Sequence, residues 1–282
     1  MEKNQIVSFQ ANLTKYEKTV ADLLGSKYGI TTQEFMVKVL NAVKKNPDLL
    51  KCTPQSLFGS ILYFAEVGLP FNTPEGFGFI LPYKNKGILE ATPIIGYKGL
   101  IEMAYRNPKV KSIRIQSVYQ NDEFSYEYGT KEYITHKPCM SDRGILIAVY
   151  AIAKIEGIEP LFVVVHKPEL DKIQKLSKSG NSDYSPYNNG TDVFNVMQSK
   201  VAIKLLFKTL PKSDNEALIK VLEMDNKLDY EKNTKIIASE NGYDVIEDKS
   251  ITALEDKPQE KIVYQETEEF KKLKNEKNVS GI

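Results

Sequence analysis

Lysine and arginine side chains are the residues of this sequence whose number and spacing indicate a chemistry, the binding of phosphate groups. Residues 83–114 contain seven Lys and Arg against two Glu, a balance of +5. These cations are Lys84, Lys86, Lys98, Arg106, Lys109, Lys111 and Arg114. Cations at this density bind a nucleic-acid backbone by neutralising phosphates and releasing counterions, without regard to base sequence. Residues 83–114 are therefore a candidate polyanion site.

A second basic group lies on the clearest helix of the sequence, which is predicted over residues 191–210. Lys200, Lys204 and Lys208 recur every fourth residue, and at 100° per residue they fall within about 80° of one another. A solvated helix face normally mixes both signs of charge, yet residues 194–213 contain no Asp or Glu. The pattern favours phosphate contact over simple solvation of a helix face.

Aromatic residues accompany the first basic group and are candidates for contact with bases. The chain has no Trp, so any stacking on bases falls to Tyr, Phe or His. Phe77, Phe79, Tyr83 and Tyr97 lie in or beside the basic stretch. Stacking on a base would contribute ~1–3 kcal/mol. Each of these rings could equally belong to the hydrophobic core.

Signatures of catalysis are weak by comparison. No Gly-Lys pair occurs, which excludes the P-loop of nucleotide triphosphatases. The two histidines, His136 and His166, stand far apart and have no Cys or His at metal-ligand spacing. Residues 1–213 contain no Asp/Glu-x-Lys triplet of the kind that one large nuclease class uses. We therefore predict no catalytic residue, no metal and no cofactor, and we interpret Glu75, in a Pro-Glu-Gly sequence, as a turn-stabilising acid.

Local patterns predict the elements that position the first basic group. Residues 77–82 and 88–95 are predicted as two strands around a polar Asn-Lys-Gly turn. Residues 97–106 follow as a helix with one apolar side. Gly96 and Gly99 flank the start of this helix, where small residues let another backbone come close. The unpaired N–H groups of a helix N-terminus also favour an anion.

The remaining patterns predict the fold class. Two helices are expected before the hairpin, and the first begins with a capping box at Thr31 and Glu34. Further strands are expected after the hairpin. One of them carries an alternating ladder, Phe124, Tyr126 and Tyr128, which is more typical of packing between strands than of a base platform. The expected fold class is α+β, an antiparallel hairpin and a small sheet packed with helices, in a protein that oligomerises.

Charge divides the chain into a basic body and an acidic tail. Residues 214–282 carry 11 Lys and Arg against 17 Asp and Glu, whereas the whole chain has a net charge of +1. Three regions are predicted: an N-terminal helical or oligomerisation segment at 1–30, a nucleic-acid-binding core at 31–213, and an acidic, largely disordered tail at 214–282. The tail could recruit partners, temper binding or simply be solvated. Two cysteines and no long apolar run predict a cytoplasmic protein without a disulfide framework or a membrane span.

Five segments, taken in order along the chain, carry a resemblance to a known family. They are residues 68–83, 94–106, 122–129, 176–181 and 197–211, which begin Gly-Leu-Pro, Ile-Ile-Gly-Tyr-Lys-Gly, Asp-Glu-Phe, Leu-Ser-Lys-Ser-Gly-Asn and Met-Gln-Ser-Lys. As a set they resemble the RecT family of phage and prophage single-strand annealing proteins. The departures are mild. Ser199 stands where the family often has Lys, Leu205 where it often has a basic residue, and the loop before the last helix has Tyr184 and Tyr187 but no Trp.

The resemblance implies ATP-independent binding and annealing of complementary single strands in homologous recombination and repair, with strand invasion in some members. It implies a homo-oligomer, a ring or a helical filament, that holds single-stranded DNA and the annealed duplex intermediate. It also implies a partner exonuclease that leaves 3′ overhangs, a host single-stranded DNA-binding protein and action in the bacterial host cytoplasm. The DNA-binding residues expected in a basic groove between hairpin and helices are Lys84, Lys86, Tyr97, Lys98, Arg106, Lys109, Lys111, Arg114, Lys178, Lys200, Lys204 and Lys208. The candidates for wedging or stacking against bases are Phe77, Phe79 and Tyr83.

Two other functions stay open on the residues alone. A protective protein could coat single-stranded DNA without pairing it, and it would then fail to accelerate the pairing of complementary oligonucleotides. A metal-dependent nuclease is also conceivable, because carboxylates scattered in the sequence can meet in three dimensions. Such an enzyme would degrade DNA in the presence of Mg²⁺.

Overall fold

The computed structural model describes residues 2–25, 28–85, 87–176, 195–210, 218–219, 221–223, 234–239 and 242–247. The helices in these ranges are α1 (Glu2–Lys15), α2 (Glu17–Leu24), α3 (Thr32–Lys45), α4 (Pro54–Val67), α5 (Tyr97–Tyr105), α6 (Lys167–Leu176) and α7 (Val196–Thr209), with a 3₁₀ helix at Pro47–Lys51. The strands are β1 (Gly78–Asn85), β2 (Ile88–Ile95), β3 (Val110–Tyr119), β4 (Glu123–Glu127), β5 (Tyr133–Lys137), β6 (Leu146–Ile155), β7 (Leu161–His166), β8 (Thr234–Ser239) and β9 (Gly242–Glu247). Small antiparallel sheets packed with helices confirm the predicted α+β class. None of the described helices is long and apolar enough to cross a bilayer.

The helices before the hairpin form much of the hydrophobic core. α3 begins at the predicted capping box, in which the Glu34 N–H donates to Thr31 Oγ1 over 3.2 Å and the Thr31 N–H donates to Glu34 Oε2 over 2.9 Å. α4 is buried at every residue from Ser56 to Ala65. It ends at Gly68, whose φ of 62° lies in the left-handed region. A Cβ atom at Gly68 would also lie 2.1 Å from the Tyr28 ring.

The predicted hairpin is confirmed as β1–β2. The strands pair from Gly78 opposite Ile95 to Asn85 opposite Ile88, so a two-residue turn joins them. Ile80 is fully buried whereas its neighbour Phe79 is exposed, as the alternation of a strand requires. One face of the hairpin therefore packs on the core and the other face is open to solvent.

Side chains and prolines close the two edges of this hairpin near its base. On β1, Asn72 accepts from the Ile80 N–H over 3.0 Å and donates to the Ile80 carbonyl over 3.2 Å. On β2, Ser56 Oγ accepts from the Ala91 N–H over 2.9 Å. Pro82 on β1 and Pro93 on β2 lie two positions from Ile80 and Ala91, so their backbone nitrogens are directed to the same outer edges. A proline nitrogen carries no hydrogen and cannot donate to an added strand. Both edges are thus poor templates for an added strand.

A three-stranded antiparallel sheet, ordered β3–β6–β7, forms the second part of the fold. The hairpin β4–β5 folds over one face, where Phe124 stacks on Tyr150 at 5.7 Å and Tyr128 stacks on Phe162 at 5.0 Å between ring centroids. This packing between strands matches the interpretation of the aromatic ladder. α7 lies against the sheet, on the opposite face. That face carries the buried residues Val149, Ala151 and Ala153.

Asp122 connects β3, the β4–β5 hairpin and the loop that follows it. Its carboxylate accepts from Arg143 Nε over 3.0 Å and Nη2 over 2.6 Å, and from the N–H groups of Tyr119 over 2.8 Å and Cys139 over 2.9 Å. His136 Nε2 lies 3.1 Å from the same carboxylate. The Arg143 guanidinium, together with these N–H groups, holds the pKa of Asp122 well below its usual value. His136 is therefore part of the internal packing of the fold.

Replacing Asp122 by asparagine is expected to destabilise the fold by about 3 kcal/mol at neutral pH, because Arg143 would lose its anion. Since the folded-state pKa of Asp122 is depressed, its contribution is complete above the unfolded value of about 3.9 and is lost as the pH falls below it. Urea unfolding from neutral pH down to about pH 3 measures both effects. Glu123→Gln, on the exposed pair with Lys137, is the control and should change stability little. An Asp122→Asn protein with wild-type acid sensitivity would contradict this assignment.

The last described hairpin, β8–β9, lies inside the region for which the sequence predicts a largely disordered acidic tail. The backbone of β8 lies against α4. Upstream of this hairpin, Leu218, Val221 and Leu222 are buried as well. Most of residues 214–282 falls outside the described ranges. The disorder of the tail and the three region boundaries stay predictions.

Candidate nucleic-acid interface

The loop before β1 packs directly on the first turn of α5. The Gly96 N–H donates to the Phe77 carbonyl over 2.9 Å. A Cβ atom at Gly96 would lie 2.4 Å from the Gly76 carbonyl oxygen, and one at Gly99 would lie 2.1 Å from the Phe77 carbonyl oxygen. No side chain larger than hydrogen fits at either position without moving the backbone. The expected close approach of another backbone at this glycine pair is therefore confirmed.

The start of α5 presents a cation and a helix N-terminus beside the hairpin. Gly96 is the N-cap residue, and no side chain caps this helix. Lys98, in the first turn, is exposed. Around Gly76, a Cβ atom would meet Phe79 Cζ at 3.9 Å and Lys98 Cδ at 4.0 Å. An aromatic ring of the hairpin and the aliphatic part of the Lys98 side chain thus flank the same short loop.

The open face of the hairpin carries aromatic side chains at the surface. Phe79 is 38% exposed and Tyr83 is 43% exposed. Both lie on the same face of β1, because they are four positions apart and side chains alternate along a strand. Lys84, at the tip, is exposed but belongs to the opposite face by the same alternation. Glu90 stands opposite Tyr83 and accepts from Asn85 Nδ2 over 3.0 Å.

Phe77 and Tyr97 are placed differently from these two rings. Both are partly buried and pack against the hydrophobic core. Their rings therefore belong mainly to the support of the loop and of α5. Of the three candidates for stacking on bases, Phe79 and Tyr83 are the two whose rings are at the surface.

Arg106 is used inside the fold, at the C-terminal end of α4. Its Nη1 donates to the Val67 carbonyl over 2.6 Å and its Nη2 donates to the Gly68 carbonyl over 2.9 Å. The guanidinium also lies 4.3 Å from the centroid of the Tyr28 ring, whose hydroxyl donates to the Glu66 carbonyl over 2.9 Å. Arg106 satisfies helix-terminal carbonyl groups that would otherwise lack donors. We accordingly leave it out of the proposed DNA contacts.

Lys109, Lys111 and Arg114 lie on or next to β3, apart from the hairpin. Lys111 pairs with Glu156 over 2.9 Å, and Lys109, which is exposed, also takes part in interactions within the chain. Arg114 is exposed on β3, opposite Ile152. That face of the sheet is the one that β4–β5 covers, because Tyr150 shares it, whereas α7 lies on the other face. The sheet thus separates Arg114 from the lysines of α7.

The three lysines of α7 differ in exposure. Lys200 and Lys204 are each 8% exposed and interact with other groups of the chain, whereas Lys208 is exposed. Helix α7 packs against α5, so the two basic helices adjoin. Lys86 and Lys178 lie outside the described residues, as do the loop aromatics Tyr184 and Tyr187.

Asn72 is a residue that the sequence patterns missed. Its φ of 52° lies in the left-handed region, and its side chain holds β1 at Ile80. Its own N–H donates to the Gly78 carbonyl over 2.8 Å. An Asn before Thr-Pro is a turn signal, but its pairing with a strand eight positions on is not visible in the sequence.

In the described part of the chain no group of three His, Cys, Asp or Glu could hold a metal ion.

Comparison with known proteins places most of this chain in one family. The model of the RecT family matches residues 33–239. Protein RecT of Escherichia coli K12 is 31% identical over 203 residues, which cover 70% of this chain and 72% of the relative. An uncharacterised protein of Bacillus subtilis 168, YqaK, is 27% identical over 199 residues, covering 66% of this chain and 67% of the relative. The match includes the hairpin, α5 and α7.

Proposed function

Because this chain belongs to the RecT family of single-strand annealing proteins, we propose that it binds single-stranded DNA and anneals complementary strands without ATP. The proposal rests mainly on the side chains that surround Gly76. There the exposed ring of Phe79 and the exposed Lys98 meet at the N-terminus of α5, which no side chain caps. We call this surface, made of Phe79, Tyr83, Lys98 and the first turn of α5, the hairpin surface.

The chemistry of annealing requires that phosphates are held while base edges stay free. Lys98 and the N–H groups at the start of α5 supply sequence-independent phosphate contacts. Phe79 and Tyr83 stack on or separate bases through their ring faces, which leaves Watson–Crick edges available for pairing. Lys208, on the adjoining helix α7, extends the cationic surface, and Lys84 at the hairpin tip reaches the same strand. Lys86, Lys178, Lys109 and Arg114 are further proposed phosphate contacts.

The spacing of Lys200 and Lys204 predicts contact with phosphate, but in this structure we expect both side chains mainly to stabilise the fold. Because both are buried and interact within the chain, their contact with phosphate requires a movement of the groups that cover them. Their removal would first lower the stability of the fold, since these buried side chains make interactions within the chain that would be lost.

Oligomerisation and partners complete the proposal. A ring or helical filament of subunits strings many weak sites along one strand, which gives high avidity while each site still releases its segment. The N-terminal segment at residues 1–30 is the proposed oligomerisation element, and the acidic tail is the proposed contact for partners. These partners are an exonuclease that supplies 3′ overhangs and a host single-stranded DNA-binding protein. The protein acts in the cytoplasm of a bacterial host.

The proposed function is tested by measuring how fast two complementary oligonucleotides anneal without ATP, with fluorescence quenching as the readout. Acceleration well above the protein-free rate is the expected result. Binding without faster annealing would indicate that the protein only protects single strands. Mg²⁺-dependent degradation of either strand would indicate that it is a nuclease. A pair of non-complementary oligonucleotides is the matched control for aggregation.

Substituting Lys98 by glutamine is expected to weaken binding equally on all sequences, because a phosphate contact carries no base information. The slope of log affinity against log salt should fall in magnitude by roughly 0.7 for each phosphate of a single strand that is no longer neutralised. Fluorescence anisotropy with oligonucleotides of two different compositions, at several salt concentrations, measures both. Lys131→Gln, an exposed lysine in the turn between β4 and β5, is the matched control. An unchanged slope in a folded Lys98→Gln protein would remove Lys98 from the interface.

A further inference from the structure

The turn that precedes β1 is held in a fixed conformation at both ends. The Gly76 N–H donates to the Thr73 carbonyl over 3.1 Å. Asn72 and Gly76, at the two ends of the turn, have φ values of 52° and 71°, both in the left-handed region. Asn72 is in turn bonded to Ile80 through both atoms of its amide. Glu75, within this turn, therefore has a backbone position that the fold determines.

That position lies at the hairpin surface. Glu75 is exposed and directly precedes Gly76, beside which the Phe79 ring and the Lys98 side chain are found. Lys38 and Lys45 of α3 are near enough to favour the charged form of Glu75. Glu75 thus places a negative charge directly beside the loop at which a phosphate is expected to bind.

The carboxyl group of Glu75 is ionised at neutral pH. The backbone of the turn, together with Lys38 and Lys45, holds the pKa of this carboxyl group below its usual value. A fixed negative charge at a phosphate-binding surface repels the ligand and competes for its cations. Such repulsive elements are a recognised way to limit affinity in a binding site.

We propose that Glu75 acts as an electrostatic brake on the hairpin surface, limiting how long one phosphate of a single strand is retained. This inference rests on the proposed function. Annealing requires that a strand is held long enough to meet its complement and is released when the pairing is wrong. A carboxylate at the contact speeds that release without removing the cations that attract the strand.

The simpler interpretation of Glu75 is that it only stabilises its turn. The two interpretations predict effects of opposite sign. A turn-stabilising carboxylate, once removed, should lower the melting temperature and weaken DNA binding, because the loop no longer supports Lys98. A repelling carboxylate, once neutralised, should strengthen binding, with only the small decrease in melting temperature that loss of an exposed charge produces.

The test compares Glu75→Gln with the wild type and with Glu132→Gln, an exposed carboxylate in the turn between β4 and β5. Affinity for labelled oligonucleotides of several compositions is measured by anisotropy, and release is measured by challenge with unlabelled oligonucleotide. We expect Glu75→Gln to bind roughly twofold to fivefold more tightly and to release more slowly on every sequence, in the range of one exposed charge interaction. Glu132→Gln should behave as wild type.

Three results would overturn the brake. They are unchanged affinity, weaker binding together with a lower melting temperature, and weaker binding confined to sequences whose bases donate hydrogen bonds to a carboxylate. Lys98→Gln in the same assay separates this inference from the proposed function. If Lys98→Gln weakens binding and Glu75→Gln has no effect, only the brake fails. If neither substitution has an effect, the hairpin surface is not the interface.

Discussion

An alanine at position 99 is expected to lower the stability of this protein by roughly 2–4 kcal/mol and to abolish single-strand binding. Gly99 lies inside α5, where exchange of Gly for Ala ordinarily stabilises a helix by about 1 kcal/mol. Here the added methyl carbon would lie 2.1 Å from the Phe77 carbonyl oxygen. The loop and α5 would have to separate, and Lys98 would move away from Phe79. Urea unfolding and oligonucleotide anisotropy measure the two effects.

Gly157→Ala is the matched control for this substitution. No atom lies within 4 Å of the position a Cβ would occupy at Gly157, and its φ of 83° is left-handed, unlike that of Gly99 within α5. The control therefore reports the cost of backbone strain alone, about 1–2 kcal/mol, and should leave DNA binding intact. A Gly99→Ala protein as stable as the wild type would show that the loop does not depend on this contact.

The double substitution Phe79→Ala with Tyr83→Ala is expected to reduce single-strand affinity by roughly 30-fold or more, at ~1–3 kcal/mol for each of two stacked bases. Because both rings are substantially exposed, the fold should persist. The salt slope should stay at its wild-type value, since no cation is removed. The rate of ATP-independent annealing should fall with the affinity. Anisotropy at several salt concentrations and the quenching assay measure these quantities.

Tyr133→Ala is the control for removal of an exposed ring. Tyr133 is 47% exposed on β5, outside the hairpin surface. The Tyr133→Ala protein should bind single-stranded DNA and anneal complementary strands as the wild type does. A double variant of Phe79 and Tyr83 that keeps full affinity, or one that loses affinity with a changed salt slope, would show that these rings do not stack on bases.

Local features of the sequence were sufficient to predict the hairpin and α5. A polar Asn-Lys-Gly turn between two predicted strands is a short-range signal, and the observed pairing of β1 with β2 agrees with it, although β1 extends to Asn85 and does not end at Pro82. The glycine pair at the start of α5 was correctly interpreted as a place of close backbone approach. The capping box of α3 is equally local, since its two residues lie three apart.

Charge counting along the sequence could not show where each cation is used. Arg106 belongs to the basic stretch by composition, but its guanidinium is bonded to the end of α4, 38 or more residues earlier in the chain. Lys200 and Lys204 share a helix face with Lys208, yet tertiary packing buries the first two. Helical periodicity specifies which residues share a face. It does not specify what covers that face.

Contacts between distant segments were likewise beyond the sequence patterns. Arg143 and Asp122 form an ion pair across 21 residues, and Tyr126 meets His166 across 40. A single sequence contains no signal for such pairs. What the patterns did identify were the hairpin and α5, the elements on which the proposed interface lies.

We propose that the open face of β1–β2, beside Lys98, contacts the bases of a bound single strand. Photo-cross-linking of the wild-type protein to an oligonucleotide containing 5-bromodeoxyuridine, followed by digestion and mass spectrometry, tests it most directly. We predict cross-links at Phe79 or Tyr83, and their disappearance when unlabelled oligonucleotide competes. Cross-links confined to the β3–β6–β7 sheet and its covering hairpin, with none on β1 or β2, would contradict the claim.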